Sequence, residues 1–164
     1  ILRYFNPAGA HKSSLIGQNE KSNYKNLFSV IDSVATNEKL VLDIFGSDYN
    51  TRDGTCVRDY FHVEDLADGH VKAIEYLDNN NKSIILNLGS GIGYSVLDIV
   101  NKYSMFNSIK IPYKLMPRRK GDMAMVYASI KMAKKIINWE PKMSLEQICT
   151  SSYKWKLNLN ERAR

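Results

Sequence analysis

The sequence predicts a mixed α/β domain, and three observations carry that expectation. Short apolar runs closed by Asn, Gly or Pro alternate along the chain with stretches whose apolar residues recur every three to four positions. The 164 residues suffice for one core of useful size. Hydrophobic residues make up 44% and charged residues 24%, the balance of a soluble globular chain, and no apolar run reaches the ~18 residues that would span a bilayer.

The elements follow in order. Ile1 to Phe5 reads as a strand that ends in a loop at Asn6-Pro7. Residues 7 to 23, rich in Gly, Ser, Asn and Lys, form a long connection of the kind that is functional or disordered. Leu27, Val30, Ile31 and Val34 keep helical spacing. Leu40 to Phe45 is a strand, Gly46 to Gly54 a polar turn, and Cys56 to His62 the next strand. From Val63 to Asp78 the positions Leu66, Ala67, His70, Ala73, Ile74 and Leu77 trace one helical face.

An asparagine-rich turn from Asp78 to Lys82 leads to a continuous apolar strand, Ser83 to Leu88. Ser95 caps a helix with Asp98 three positions on, a variant of the capping box, and Val96, Leu97, Val100 and Tyr103 supply its buried side. A strand near Lys110 to Met116 precedes helices at Ile130 to Asn138 and Ser144 to Asn158. The last helix aligns Leu145, Ile148, Cys149, Ser152 and Trp155, and Asn160 to Arg164 reads as frayed. No internal repeat is visible.

Net charge is +6, so an anionic partner is worth seeking. The basic residues are scattered, as Arg118-Arg119-Lys120, as Lys131, Lys134 and Lys135, and singly, without the aromatic-interleaved stripe of a nucleic-acid binder. The expectation is a solvated basic surface, no nucleic acid and no membrane. Cys56 and Cys149 lie far apart with no metal-type spacing, which suits reduced thiols in a cytoplasmic protein.

Two motifs mislead. Gly89-Ser90-Gly91-Ile92-Gly93-Tyr94 sits where a dinucleotide fingerprint belongs, but the third glycine would fall at Tyr94 and no acidic ribose ligand follows. A tight turn that needs glycine freedom explains it better. Tyr127 to Lys131 matches Y-x-x-x-K, yet that pair works only from one helix, and Tyr127 precedes the predicted helix.

A diphosphate-linked nucleoside asks for arginines, amides, a carboxylate for ribose hydroxyls and a flat surface for its base. The chain offers Asn6 at a strand end, Asn26 opening a helix whose amino terminus favours anions, Arg58, and Arg119 with Asp122. Residue chemistry alone reaches an anion site and leaves a plain surface role open for each group.

The segments Arg3-Tyr4-Phe5-Asn6-Pro7-Ala8-Gly9-Ala10-His11, Phe45-Gly46-x-Asp48-Tyr49-x-Thr51-x-Asp53-Gly54-Thr55 and Val57-Arg58-Asp59-Tyr60-x-His62-Val63-x-Asp65-Leu66-Ala67 resemble the UDP-galactose 4-epimerases of the extended short-chain dehydrogenase group. Asn87-Leu88-Gly89-x-Gly91-x-Gly93 and Arg118-Arg119-x-Gly121-Asp122 continue the likeness, which extends from Ile1 to about Trp155.

The resemblance implies a small mixed α/β substrate-binding domain over 1–164 plus the last strand of a truncated Rossmann-type sheet. It implies NAD as cofactor and UDP-glucose, UDP-galactose and UDP-N-acetylhexosamines as partners. The parent would be a homodimer whose catalytic residues and amino-terminal Rossmann domain lie upstream of Ile1, leaving these residues inactive alone. Tyr4 and Phe5 would border the cofactor. Asn6 would meet the diphosphate or the sugar, Asn26 and Leu27 the diphosphate region, Asp43 and Phe45 the uracil, Arg58 and Arg119 the phosphates, and Asp122 the ribose. Val126 stands where many members carry a bulky Tyr, which leaves room for an acetamido group. Asn19 to Asn23 departs from the usual Gly and Pro. Another nucleotide-sugar enzyme, a dehydratase or decarboxylase, and a non-catalytic anion-binding module remain as rivals.

Overall fold

The computed structural model describes residues 1–18 and 26–162; the divergent stretch Asn19 to Asn23 and the last two positions lie outside the described residues. The expected α/β class holds, with strands β1 (Leu2–Tyr4), β2 (Asn6–Ala8), β3 (Leu42–Phe45), β4 (Val57–His62), β5 (Leu86–Leu88), β6 (Gly93–Ser95), β7 (Tyr113–Met116) and β8 (Met125–Val126). The helices are α1 (Leu27–Ala35), α2 (Val63–Asn80), α3 (Val96–Asn107), α4 (Lys131–Ile137) and α5 (Leu145–Arg162).

Among the described residues three small sheets result. β1 runs parallel to β5, and β3 runs parallel to β7. β4 organises the third, with β2 and β8 parallel to it and β6 antiparallel. Asn6 therefore does not end in a loop. It opens β2, and Pro7 is accommodated because β2 lies at the end of its sheet, where a missing N–H costs no ladder bond on the open side.

The larger core lies between α1, α3, α5 and the strands β3 and β4. It gathers Phe28, Ile31, Leu42, Ile44, Tyr60, Ile99, Tyr103 and Ile148. Asp32 is buried within it and accepts from the Tyr103 hydroxyl at 2.5 Å and from Ser152 Oγ at 2.6 Å. Burial and Asp32 together push the Tyr103 phenol far up, and they push the Cys149 thiol up to about 12. A second core packs Phe61, Leu86, Leu88, Ala133, Ile137 and Trp139.

Several element expectations need correction. In α2 the buried positions are Asp65, Gly69 and Ala73, while Ala67, His70, Ile74 and Leu77 are exposed. The reason is an anchor outside the apolar pattern. Asp65 accepts from the Lys142 and Met143 amides at 3.0 Å each, and the Trp139 indole donates to its carbonyl. That rotation brings Gly69 against Leu88 and Trp139. In α3 the capping box forms as expected, and Ile99 joins Val100 and Tyr103 inside, with Val96 and Leu97 partly buried against the same core. Asn160 does not fray, because α5 continues to Arg162, held by Asn158 on the Ser14 carbonyl and Asn160 on Glu38. β3 and β7 begin later than Leu40 and Lys110, and Leu40 is exposed.

Candidate functional site: a cationic cavity between β3, β4 and α1

Strand alternation builds one wall. Leu42 and Ile44 are buried in the core, which turns Asp43 and Phe45 to the opposite face. Arg58 and Tyr60, two apart on β4, both reach the same space. The open volume is about 430 Å³ and is bordered by Asn6, Asn26, Leu27, Asp43, Phe45, Arg58 and Arg119 among others. Seven scattered sequence candidates thus meet in one cavity.

Arg58 is pinned before any ligand arrives. It donates to the Val57 carbonyl at 2.9 Å and to the Met123 carbonyl at 2.7 Å, and it lies 3.7 Å from Asp122. Arg119 Nε donates to the other Asp122 oxygen at 2.9 Å, and its guanidinium lies over the Phe45 ring at 4.8 Å. Two guanidiniums therefore converge on one carboxylate and leave an excess of positive charge at the cavity wall. Asp122 does not border the cavity itself; it stands behind the arginines that do.

The asparagines act through the backbone as much as through their own amides. Asn6 donates Nδ2 to the Asp59 carbonyl at 2.9 Å. Asn26 is the α1 cap: its Oδ1 accepts from Ser29 N at 2.8 Å, and its Nδ2 is bonded to Gln18. Asn26, Leu27 and Phe28 at the start of α1 border the cavity, and first-turn amides of a helix have no intrahelical acceptor, an arrangement suited to anions. Asp43 sits between Lys39 and Lys114, each 3.2 Å away, and these two ammoniums hold its carboxyl below the usual carboxylate range.

Three candidates lie elsewhere. Tyr4 is exposed, with its ring 5.8 Å from that of His70. Phe5 is half-buried and donates its amide to the Leu88 carbonyl. Val126 pairs in register with Arg58 on the adjacent strand, so its side chain lies next to Arg58 rather than in the cavity lining. Conversely, Tyr60 and Lys39 border the cavity without having been singled out. Tyr60 was legible from its i+2 spacing to Arg58. Lys39 carried no local signal, since it reaches Asp43 from the loop after α1.

The described residues do not form a dinucleotide cradle. The amides of the Gly89–Gly93 turn that would take a pyrophosphate already hold Asp59: Ser90 N donates at 2.6 Å and Gly91 N at 2.9 Å. Tyr127 is exposed between β8 and α4, and Lys131 opens α4, so they do not share a helix. His62 and Ser151 resemble a base and nucleophile at 3.2 Å, yet His62 Nδ1 accepts from Glu64 N, which places the ring proton on Nε2. That nitrogen donates to Ser151, and Ser151 donates onward to the Ile148 carbonyl. The pair is structural.

The model of the NAD dependent epimerase/dehydratase family matches residues 1–89. A UDP-glucose 4-epimerase of Pasteurella multocida (strain Pm70) is 49% identical over 156 residues, covering 95% of this chain and 46% of that protein. The chain therefore spans about half the length of the curated relatives it matches. Among solved structures, UDP-glucose 4-epimerase from Stenotrophomonas maltophila, with bound NAD and formylated UDP-arabinopyranose, superposes with a TM-score of 0.96 at 40% identity. It covers 99% of this chain and 48% of that one. The Bifidobacterium longum enzyme in complex with NAD+ and UDP gives 0.91 at 42%, covering 96% and 47%. No helix among the described residues is long and apolar enough to cross a membrane.

Proposed function

Because this chain belongs to the NAD dependent epimerase/dehydratase family, we propose that its cationic cavity grips the nucleoside diphosphate of a UDP-sugar, and that the whole protein is a UDP-glucose 4-epimerase. One observation carries the reading: Arg58 and Arg119 converge on Asp122 at the wall of a cavity closed by the α1 amino terminus. A diphosphate offers both guanidiniums bidentate partners of higher charge than one carboxylate. It would replace Asp122 at Arg58 and leave that carboxylate for ribose hydroxyls. Asn6 would face the sugar side, and Tyr4 and Phe5 would meet NAD from its edge. Relatives with NAD and UDP bound support this assignment of ligands.

When bound, NAD would supply hydride-accepting and hydride-donating chemistry at C4 of the hexose, with Tyr4 and Phe5 at its edge, for the interconversion of UDP-glucose and UDP-galactose in galactose metabolism. We assign no residue of this chain as the base. Residues 1–164 act as the UDP-sugar-binding portion, beside a separate Rossmann domain, in a cytoplasmic homodimer. By the family resemblance Val126 stands at the hexose, outside the diphosphate cavity, where a small side chain would leave space for an acetamido group and extend the substrates to UDP-N-acetylhexosamines. Val126→Tyr should abolish UDP-GlcNAc binding and leave UDP-glucose binding within about twofold; equal loss of both contradicts that role.

Titration with UDP and with a short oligonucleotide tests the reading. Saturable UDP binding that falls at least about tenfold in Arg58→Ala is expected, since that change removes a charge-assisted pair. Salt-sensitive oligonucleotide binding with no UDP binding would instead identify a non-catalytic anion module. With UDP-galactose and NAD+ supplied, these 164 residues should form no UDP-glucose.

A further inference from the structure

We propose that Arg118, fastened to Asp48 and stacked on Tyr49, is a positioning residue that sets Arg119 over the cavity before a diphosphate arrives. This role rests on the diphosphate reading above and extends it to residues that touch no ligand.

Arg58 and Arg119 reach the cavity from unlike supports. Arg58 lies on β4 and is pinned by two backbone carbonyls. Arg119 lies in the loop after β7, and 62% of its side chain is exposed. Its partner Asp122 belongs to the same loop, where the Asp122 amide also donates to the Arg119 carbonyl at 3.3 Å. That pair moves with the loop and cannot anchor it. The far end of the loop is held where Val57 N donates to the Ala124 carbonyl at 2.8 Å and Arg58 donates to the Met123 carbonyl.

Arg118 holds the near end. Its Nε donates to Asp48 Oδ1 at 2.6 Å, a second guanidinium nitrogen donates to the Asp48 carbonyl, and the guanidinium lies 4.1 Å from the centre of the Tyr49 ring. The two loops leave the sheet side by side, since Phe45 and Met116 are the last register pair of β3 and β7 and Gly46 N donates to the Met116 carbonyl at 2.8 Å. Tyr49 folds back over that exit: a β-carbon at position 46 would stand 2.2 Å from its ring and 3.1 Å from Arg118 Cγ. An exposed ion pair alone contributes little. A planar guanidinium that spans a carboxylate and a backbone carbonyl over a buried ring is fixed in direction as well as distance. Arg118, Asp48 and Tyr49 do not border the cavity, so what they contribute to binding passes through the neighbouring Arg119.

Calorimetric titration of UDP into the 164-residue chain tests this with Asp48→Asn, a change for which charge and position predict opposite signs. Removing a carboxylate near an anion site tightens binding by charge alone. Loss of the hold lets the loop carry Arg119 away, and affinity should fall with the fraction of chains left competent, about three- to tenfold. Asp48 is 73% exposed, so the thermal midpoint should stay where it is. Arg118→Lys keeps the charge, loses the fork and should weaken UDP binding to a similar degree. In an Arg119→Ala background Asp48→Asn should have no further effect. Tighter or unchanged UDP binding in Asp48→Asn, with binding still weakened by Arg58→Ala, overturns the positioning role and leaves the diphosphate reading standing. A full Asp48→Asn effect in the Arg119→Ala background does the same. A wild-type chain that binds no UDP overturns both together.

Discussion

Asp59 shows how a residue beside the site holds it in shape. Its carboxylate is fully buried and accepts from Ser90 N, Ser90 Oγ, Gly91 N and Ala128 N, at 2.6 to 3.0 Å. A β-carbon at position 89 would stand 2.6 Å from Asp59 Oδ2, so the glycine there is a matter of close approach. Asp59→Ala would leave three backbone donors unpaired, and the expected loss is about 3–5 kcal/mol of unfolding free energy. Urea denaturation measures it; a loss under about 1 kcal/mol would contradict the role. At this scale the sequence was informative where the chemistry is charged: Arg58, Arg119 and Asp122 do converge. It was silent on Asp59, because a carboxylate that binds its own backbone looks the same in sequence as one that binds solvent.

Among the elements, α2 carries a pH-dependent cap. His62 precedes it and accepts from Glu64 N through Nδ1, so the imidazole must be neutral to serve. Burial lowers its pKa, opposed by Glu64 and Asp65 and assisted by His11. A base whose folded pKa lies below its unfolded value binds fewer protons when folded, so its contribution is complete above about pH 6.5 and is lost as pH falls. Stability should therefore decline on acidification from pH 7 to 5. His62→Asn, which caps without titrating, should flatten that decline; an unchanged slope would contradict the assignment. The elements themselves were largely legible, because helical and alternating periods differ clearly over six or more residues. The orientation of α2 was not, since Asp65 and Trp139, 74 positions apart, decide it. Nor was β2, where Asn-Pro signals a loop until β4 supplies a partner.

At the scale of the 164-residue chain, apolar surface lies exposed among the described residues. Val71, Ile74 and Leu77 of α2 are exposed, as are Ile1, Tyr4 and Ile85 on and beside the β1–β5 pair, and among the described residues β1 pairs only with β5. Open edges and apolar faces favour association. Sedimentation of the 164-residue chain should show concentration-dependent self-association, reduced by Ile74→Lys with Leu77→Lys. A monomer with a sharp cooperative melt at high concentration would contradict this. The central claim, that the cavity between β3, β4 and α1 takes a nucleoside diphosphate, is tested most directly by a crystal structure of the chain with UDP. The account predicts phosphate oxygens within hydrogen-bond distance of both Arg58 and Arg119, with Asp122 turned away from Arg58. A diphosphate bound elsewhere, or UDP density absent at saturating concentration while Arg58 stays on Asp122, would contradict it.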